Sequence, residues 1–167
     1  MAKRDNLYEV AFEAFLLERR IPYVAVDETR RSLSQEASLK NPDFLVSTTR
    51  QTTWLVDVKG RRFPAGSQKQ YWRNWSTRED LESLSRWERL MGDRTLGLLV
   101  FAYLVTGDQA PLPQEELFEF REHLFGFVGI RLVHYVAHSK TISPRWGTVA
   151  MPVAKFRELA EPFHCLV

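Results

Sequence analysis

The stretch that most constrains this chain is Thr53-Trp54-Leu55-Val56-Asp57-Val58-Lys59-Gly60, taken together with Asn41-Pro42-Asp43-Phe44-Leu45-Val46 just before it. Both read as short, mainly apolar strands bounded by turn-forming residues. A strand running into an interior has little reason to carry Asp and Lys unless they are used there. Successive strand side chains alternate between faces, so Asp57 and Lys59 share one face while Val56 and Val58 share the other. At roughly 3.3 Å rise per residue, the acid and the amine stand about 7 Å apart along the strand. Asp43, opening the neighbouring strand, can bring a second carboxylate alongside.

The chain around this stretch reads as alternating helices and strands. Asp5 or Asn6 is a candidate N-cap for a helix over residues 5–20, in which Tyr8, Phe12, Phe15 and Leu16 form one stripe and Glu9 lies at its edge. Ile21-Pro22 ends that helix and Tyr23 to Asp27 reads as a first strand. Residues 28–41 form a connection without a clear element. The polar stretch Ser47 to Thr53 suits a hairpin between the two charged strands. Gly60 to Gly66 reads as turn-rich. A second helix begins at Ser76 or Thr77, with Glu79 or Asp80 completing a capping box, and Gly92 stops it. Thr95 to Val105 is a continuous apolar run of strand length, buried on both faces.

The pair Pro42-Asp43 followed by Asp57-Val58-Lys59 resembles the signature of the PD-(D/E)XK phosphodiesterase superfamily, which includes restriction endonucleases, junction resolvases and repair nucleases. The resemblance covers about residues 5–105 and extends to the order of elements: helix, three strands, helix, strand. It implies an α/β fold with a restriction-endonuclease-like core, in which a mixed central sheet is flanked by helices. The whole chain, 1–167, is then one nuclease-like domain with a C-terminal β/α extension over about 106–167. In that extension Gln114 to Phe127 fits helix or strand. Ile130 to Val136 and Gly147 to Met151 read as strands, the latter extending the sheet at an edge, and Pro152 opens a last helix through Ala160.

The resemblance implies hydrolysis of phosphodiester bonds with Mg²⁺, for which Mn²⁺ can substitute. Such a hard cation suits carboxylate and carbonyl oxygens, and the matching positions here are Asp43, Asp57 and the Val58 main-chain carbonyl. Glu9 then contacts a metal-bound water or a second ion, and Lys59 orients or deprotonates the attacking water or neutralises developing charge. Without metal the clustered carboxylates are expected to repel and to cost stability. The segment after the motif mixes cations with aromatics: Arg61, Arg62, Lys69, Arg73 and Arg78 are candidates for phosphate contacts, and Tyr71, Trp72 and Trp75 for stacking on bases. The partner expected is nucleic acid, with DNA favoured over RNA, and a homodimer is compatible with the sequence.

At 167 residues, 44% hydrophobic and 13% aromatic, the chain is long enough to bury a core, and a net charge of +2 does not by itself demand a polyanion partner. The single cysteine, Cys165, excludes an internal disulfide and a thiolate zinc cluster, and is expected to be a packed, inert thiol. The longest apolar run is about half a membrane-spanning helix, so the expectation is a cytoplasmic protein with no membrane contact. His134 and His138, four apart in an expected strand, lack a third convergent ligand. Two other readings compete: a nuclease-fold module that no longer cuts and binds nucleic acid or a protein partner, and a non-nuclease α/β domain.

Overall fold

The computed structural model describes residues 6–27, the backbone of 32–33, and 38–167. Helix α1 (Leu7–Glu18) is capped by Asn6, whose side chain accepts from the Tyr8 N–H at 3.1 Å. The alternative cap, Asp5, lies outside the described residues. The strands that follow are β1 (Tyr23–Ala25), the short β2 (Ser32–Leu33) and β3 (Ser38–Leu39), β4 (Phe44–Ser47) and β5 (Thr53–Phe63). Next come β6 (Ser76–Thr77), helix α2 (Arg78–Met91) and β7 (Thr95–Val105). The extension adds β8 (Phe118–Phe120), β9 (His123–Arg131), α3 (Leu132–His138), β10 (Lys140–Ser143), β11 (Thr148–Ala150), α4 (Val153–Leu159) and β12 (Glu161–Pro162).

Among the described residues the central sheet runs β1-β4-β5-β7-β9-β12, with β8 also paired to β9. Strands β1, β4 and β5 form an antiparallel meander, and β7 lies parallel to β5 after the α2 crossover. This is a mixed sheet flanked by helices, and its element order is the one expected for the core. Strand β5 separates two hydrophobic clusters. Trp54, Val56 and Val58 face α1 with Phe12, Phe15 and Phe44, whereas Leu55 and Phe63 face α2 with Leu81, Leu84, Phe101 and Tyr135. By alternation Asp57, Lys59 and Arg61 point to the α2 side.

Several sequence expectations are corrected. The first strand stops at Ala25, short of Asp27. The segment from Gly60 to Phe63 is no turn: β5 continues through it, paired residue for residue with Gly60–Phe63 opposite Ala102–Val105, because an eleven-residue parallel partner keeps the ladder going. Gly60 earns its place by packing, since a Cβ there would collide with the Tyr8 ring. Residues Leu132 to Val136 are helix, not strand, with Leu132 and Tyr135 at helical spacing turned into the core. Gln114 to Phe127 resolves into a 3₁₀ turn and the β8–β9 hairpin. Strand β11 does not extend the central sheet but joins β10 and β6 in a separate three-stranded sheet.

That small sheet fastens the extension to the core. Asn74 forms a two-way clamp, its Nδ2 donating to the Met151 carbonyl at 3.2 Å and its Oδ1 accepting from the Met151 N–H at 2.8 Å. The buried Tyr135 hydroxyl donates to the Asn74 carbonyl at 2.6 Å. Replacing Asn74 with Ala strands both Met151 groups in a buried setting, at about 1–3 kcal/mol for each. Urea denaturation is expected to show a loss of about 2–6 kcal/mol for Asn74→Ala, the two groups taken together. A loss below about 0.5 kcal/mol would mean that the clamp is not what holds the extension in place.

Candidate active site

The β4–β5 hairpin brings the two motif carboxylates together. Phe44 pairs with Val56, so the next position along the ladder sets Asp43 opposite Asp57 on the α2 face. The Asp43 N–H still donates to the Val56 carbonyl at 2.8 Å. Its carboxylate takes over where the strand ends, Oδ2 accepting from the Val58 N–H at 2.6 Å. In a strand the N–H and C=O of one residue address the same neighbour. The Val58 carbonyl therefore points to the side of β5 where β4 has run out, next to Asp43. Both acids are buried.

Lys59 follows on the same face and is held from two sides. Its Nζ lies 2.8 Å from Asp57 Oδ2 and 2.6 Å from Asp80 Oδ2, and Lys40 Nζ lies 2.6 Å from Asp80 Oδ1. Four charges thus alternate in the crevice between sheet and helix: Lys40, Asp80, Lys59, Asp57. Asp80 was legible only as an acid in the first turn of α2. The Asp80 N–H does meet Thr77 Oγ1 at 3.2 Å as a cap requires, but its carboxylate is turned inward to the lysines and does not close a capping box. Lys59 thus stands between Asp57 and Asp80 and screens these two carboxylates from one another.

Burial penalises the Lys59 ammonium, yet Asp57 and Asp80 outweigh it and raise its proton affinity above the ordinary lysine value. Burial likewise works against the Asp80 carboxylate, and Lys59 and Lys40 overcome it, holding Asp80 well below the usual carboxylate range. Lys40 is raised too, its own desolvation being outweighed by the bond to Asp80. Lys59 is therefore a cation at neutral pH. In this metal-free arrangement it donates hydrogen bonds and neutralises charge.

The donor set is all hard oxygen and fits Mg²⁺ or Mn²⁺ in kind: Asp43 and Asp57 opposite each other, with the Val58 carbonyl beside them. Among the described residues no three acidic, His or Cys side chains converge around one point, because Lys59 stands between Asp57 and Asp80. The crevice lined by Lys40, Asn41, Pro42, Asp57 and Asp80 encloses about 10 Å³, room for about one water. Glu9 is buried on α1, the helix that packs on the Trp54/Val56/Val58 face of β5, and accepts from the cap residue through Asn6 Nδ2 at 2.5 Å.

The candidate nucleic-acid residues divide into two groups. Arg61 is half-buried on β5, its guanidinium 3.8 Å from the Trp75 ring centroid. It donates to the Gly60 carbonyl at 2.7 Å and to the Trp75 carbonyl, and burial lowers its proton affinity to about 10. Its visible work is to tie the aromatic segment to the strand. Arg62, Lys69, Arg73 and Arg78 are exposed. Tyr71 and Trp72 set their ring edges against Phe63 at 5.0 and 5.2 Å, so they also build the second hydrophobic cluster. Trp72 holds a left-handed φ of 59°, a conformation that a bulky residue keeps only where its surroundings impose it. Tyr71, Trp72 and Trp75 line a recess of about 340 Å³ closed by Ile142, Met151 and Val153.

The remaining candidates separate. His134 and His138 lie on helix α3, not on a strand. Cys165 is exposed, not packed. Among the described residues no helix is long and apolar enough to cross a membrane.

No protein-family model matches the chain, and no curated protein matches it. Among solved structures it is similar to Hjc, a Holliday junction resolvase from the archaeal hyperthermophile Archaeoglobus fulgidus. The two share 16% identity over 71% of this chain and 84% of that one, with a TM-score of 0.41.

The charge row makes its own stability predictions. Lys59→Met is expected to lower the stability of the metal-free protein by about 3 kcal/mol, because removing one member of a buried pair strands the others. Asp57→Asn should cost less, since Lys59 keeps Asp80. The reverse order in urea midpoints would place the structural charge elsewhere. The pH dependence follows from the same contacts. Asp80, depressed in the folded state, contributes stability that is present above its ordinary 3.8 and lost as pH falls below it. Lys59, raised above 10.5, contributes stability present below that value and lost as pH climbs beyond it. Asp80→Asn should flatten the acid limb of the stability profile below about pH 4, and a limb as steep as in the unaltered protein would contradict the assignment.

Proposed function

We propose that this chain is a metal-dependent nuclease acting on DNA. The observation that supports the reading best is the hairpin geometry: Asp43 and Asp57 stand opposite each other on one sheet face, with Lys59 two residues further along it. They lie inside a helix, three-strand, helix, strand core whose sequence carries the matching Pro-Asp and Asp-x-Lys pairs.

In this reading Asp43, Asp57 and the Val58 carbonyl hold Mg²⁺, or Mn²⁺ in its place, and the bound ion supplies charge stabilisation and an acidified water. Asp43 is positioned for the task by its bond from the Val58 N–H, which orients its Oδ2. Lys59 acts as a positioned cation toward the phosphate oxygens, where charge builds as the phosphodiester opens. Asp80 fixes the Lys59 side chain and keeps it protonated. Glu9, buried on α1, contacts a metal-bound water or a second ion. Arg62, Lys69, Arg73 and Arg78 supply the exposed charge that tracks a phosphate backbone. The recess of Tyr71, Trp72 and Trp75 suits the flat face of an unpaired base, with Arg61 stiffening its wall.

A second reading, a module of the same fold that binds without cutting, is favoured by one feature: Lys59 fills the space between Asp57 and Asp80 with its own positive charge.

The test is incubation with labelled single-stranded, duplex, flapped and four-way-junction DNA, with Mg²⁺, with Mn²⁺ and with chelator, alongside Asp57→Asn. The expected result is metal-dependent cleavage that falls by about 10²-fold or more in the variant. Binding without cleavage on every substrate would establish the second reading, and cleavage that survives both chelator and Asp57→Asn would remove the site from the chemistry.

A further inference from the structure

Helix α2 has two working faces. Asp80, Ser83 and Leu84 are buried toward the sheet and the charge row. The opposite side carries Arg78, Glu82, Ser85, Arg86 and Arg89, five of the fourteen residues of the helix and three of them cationic. That side is not a smooth solvent face. With Val136 of α3 and Thr141 and Val149 of the small sheet it encloses a groove of about 480 Å³.

The groove is lined in a way that ordinary surface charge is not. Glu82 sits four residues from both Arg78 and Arg86, the spacing at which helical ion pairs form. Among the described residues, however, neither Arg86 nor Arg89 has an ion-pair or hydrogen-bond partner, and Arg78 is turned across the groove onto Thr141 Oγ1. The floor is apolar, formed by Leu81, Val136 and Val149. Uncommitted guanidinium groups over an apolar floor have the chemistry that receives phosphate and sugar together.

At 1.5 Å per residue, Arg86 and Arg89 stand about 4.5 Å apart along the helix, close to the step between successive charges of a strand. A nucleic-acid strand carries one charge per 3.4 Å of helix axis and meets such a row without bending. A duplex is also wider than the single helix that separates the groove from Asp57 and Lys59.

We propose that this groove on the outer side of α2 is a second phosphate-backbone site, with Arg86 and Arg89 as its principal contacts and nucleic acid as its ligand. The inference rests on the nuclease reading for the substrate class, but its test does not require cleavage. Binding of a fluorescent duplex is measured in chelator across a series of salt concentrations, for the unaltered protein, Arg86→Ala/Arg89→Ala and Arg86→Lys/Arg89→Lys. Each phosphate contact contributes about 0.9 to the slope of log affinity against log salt. The alanine pair should therefore lower the slope by about 1.8, while the lysine pair keeps it and both keep the melting temperature.

An unchanged slope in the alanine pair overturns the proposal. If that pair fails to fold, Arg89→Glu, a single change at an exposed position, replaces it and must weaken binding with a reduced slope. Displacement of the duplex by a phosphoserine peptide at equal phosphate concentration would assign the groove to a protein partner instead. A chain that loses its slope as expected yet never cleaves would keep the groove and discard the nuclease.

Discussion

A strand in the middle of a sheet cannot bury charge on one of its faces unless partners reach it from elsewhere in the chain. β5 presents Asp57, Lys59 and Arg61 in succession on the α2 side, and each is answered by a different element. The ammonium between Asp57 and Asp80 draws in the first turn of α2. The Arg61 guanidinium draws in the Trp75 ring. Asp43, opposite Asp57, closes the open end of the hairpin through the Val58 N–H. The crossover from β5 to α2, with its awkward loop and left-handed Trp72, follows a path fixed at both ends by these contacts. On the other face the same strand offers Trp54, Val56, Val58 and the bare backbone of Gly60, and α1 packs there through apolar contacts.

The C-terminal extension belongs to this arrangement and is not an appendage. Its strand β11, itself paired with β10, pairs with β6, the two residues just before α2, and its Met151 is clamped by Asn74. The extension thus fixes the start of the helix whose first turn carries Asp80, and with it the position of Lys59. It also supplies walls on both sides of the small sheet. Ile142 and Ala150 close the aromatic recess, while Thr141 and Val149 close the arginine groove. Strand alternation does this at no extra cost in chain length.

How much of this was visible in the sequence depends on the range of the interaction concerned. The α1 stripe, the hairpin, the Thr77 cap and the stop at Gly92 are local, set by periodicity and by turn or cap chemistry, and they could be read directly. The charge pair Asp57 and Lys59 could be read because it broke the apolar pattern of its own strand. Asp80 could not, since an acid in the first turn of a helix is already explained by the dipole; only the partner, twenty-one residues away, reveals its second task. Arg61 was misplaced for a related reason. Gly60 and Pro64 suggest a turn, but the long parallel ladder with β7 overrides that local preference. Leu132 to Val136 is apolar enough for either period, and the choice falls to helix because Leu132 and Tyr135 meet the core three residues apart.

The charge row also bears on how such a site can exist before any substrate arrives. Two buried carboxylates alone would either protonate or unfold their surroundings, since desolvation of an unpaired charge costs several kcal/mol. Lys59 and Lys40 remove that cost, but a lysine locked to a single acid would be left unpaired whenever that acid took another cation. Asp80 resolves the conflict. It gives Lys59 a second anchor at 2.6 Å, slightly nearer than Asp57 at 2.8 Å, and is itself secured by Lys40. Asp57 can then exchange its partner while Lys59 remains paired, so no buried charge is stranded in the exchange. In the proposed reading, the helix acid that looks redundant in sequence is what keeps Lys59 paired when Asp57 takes a metal ion.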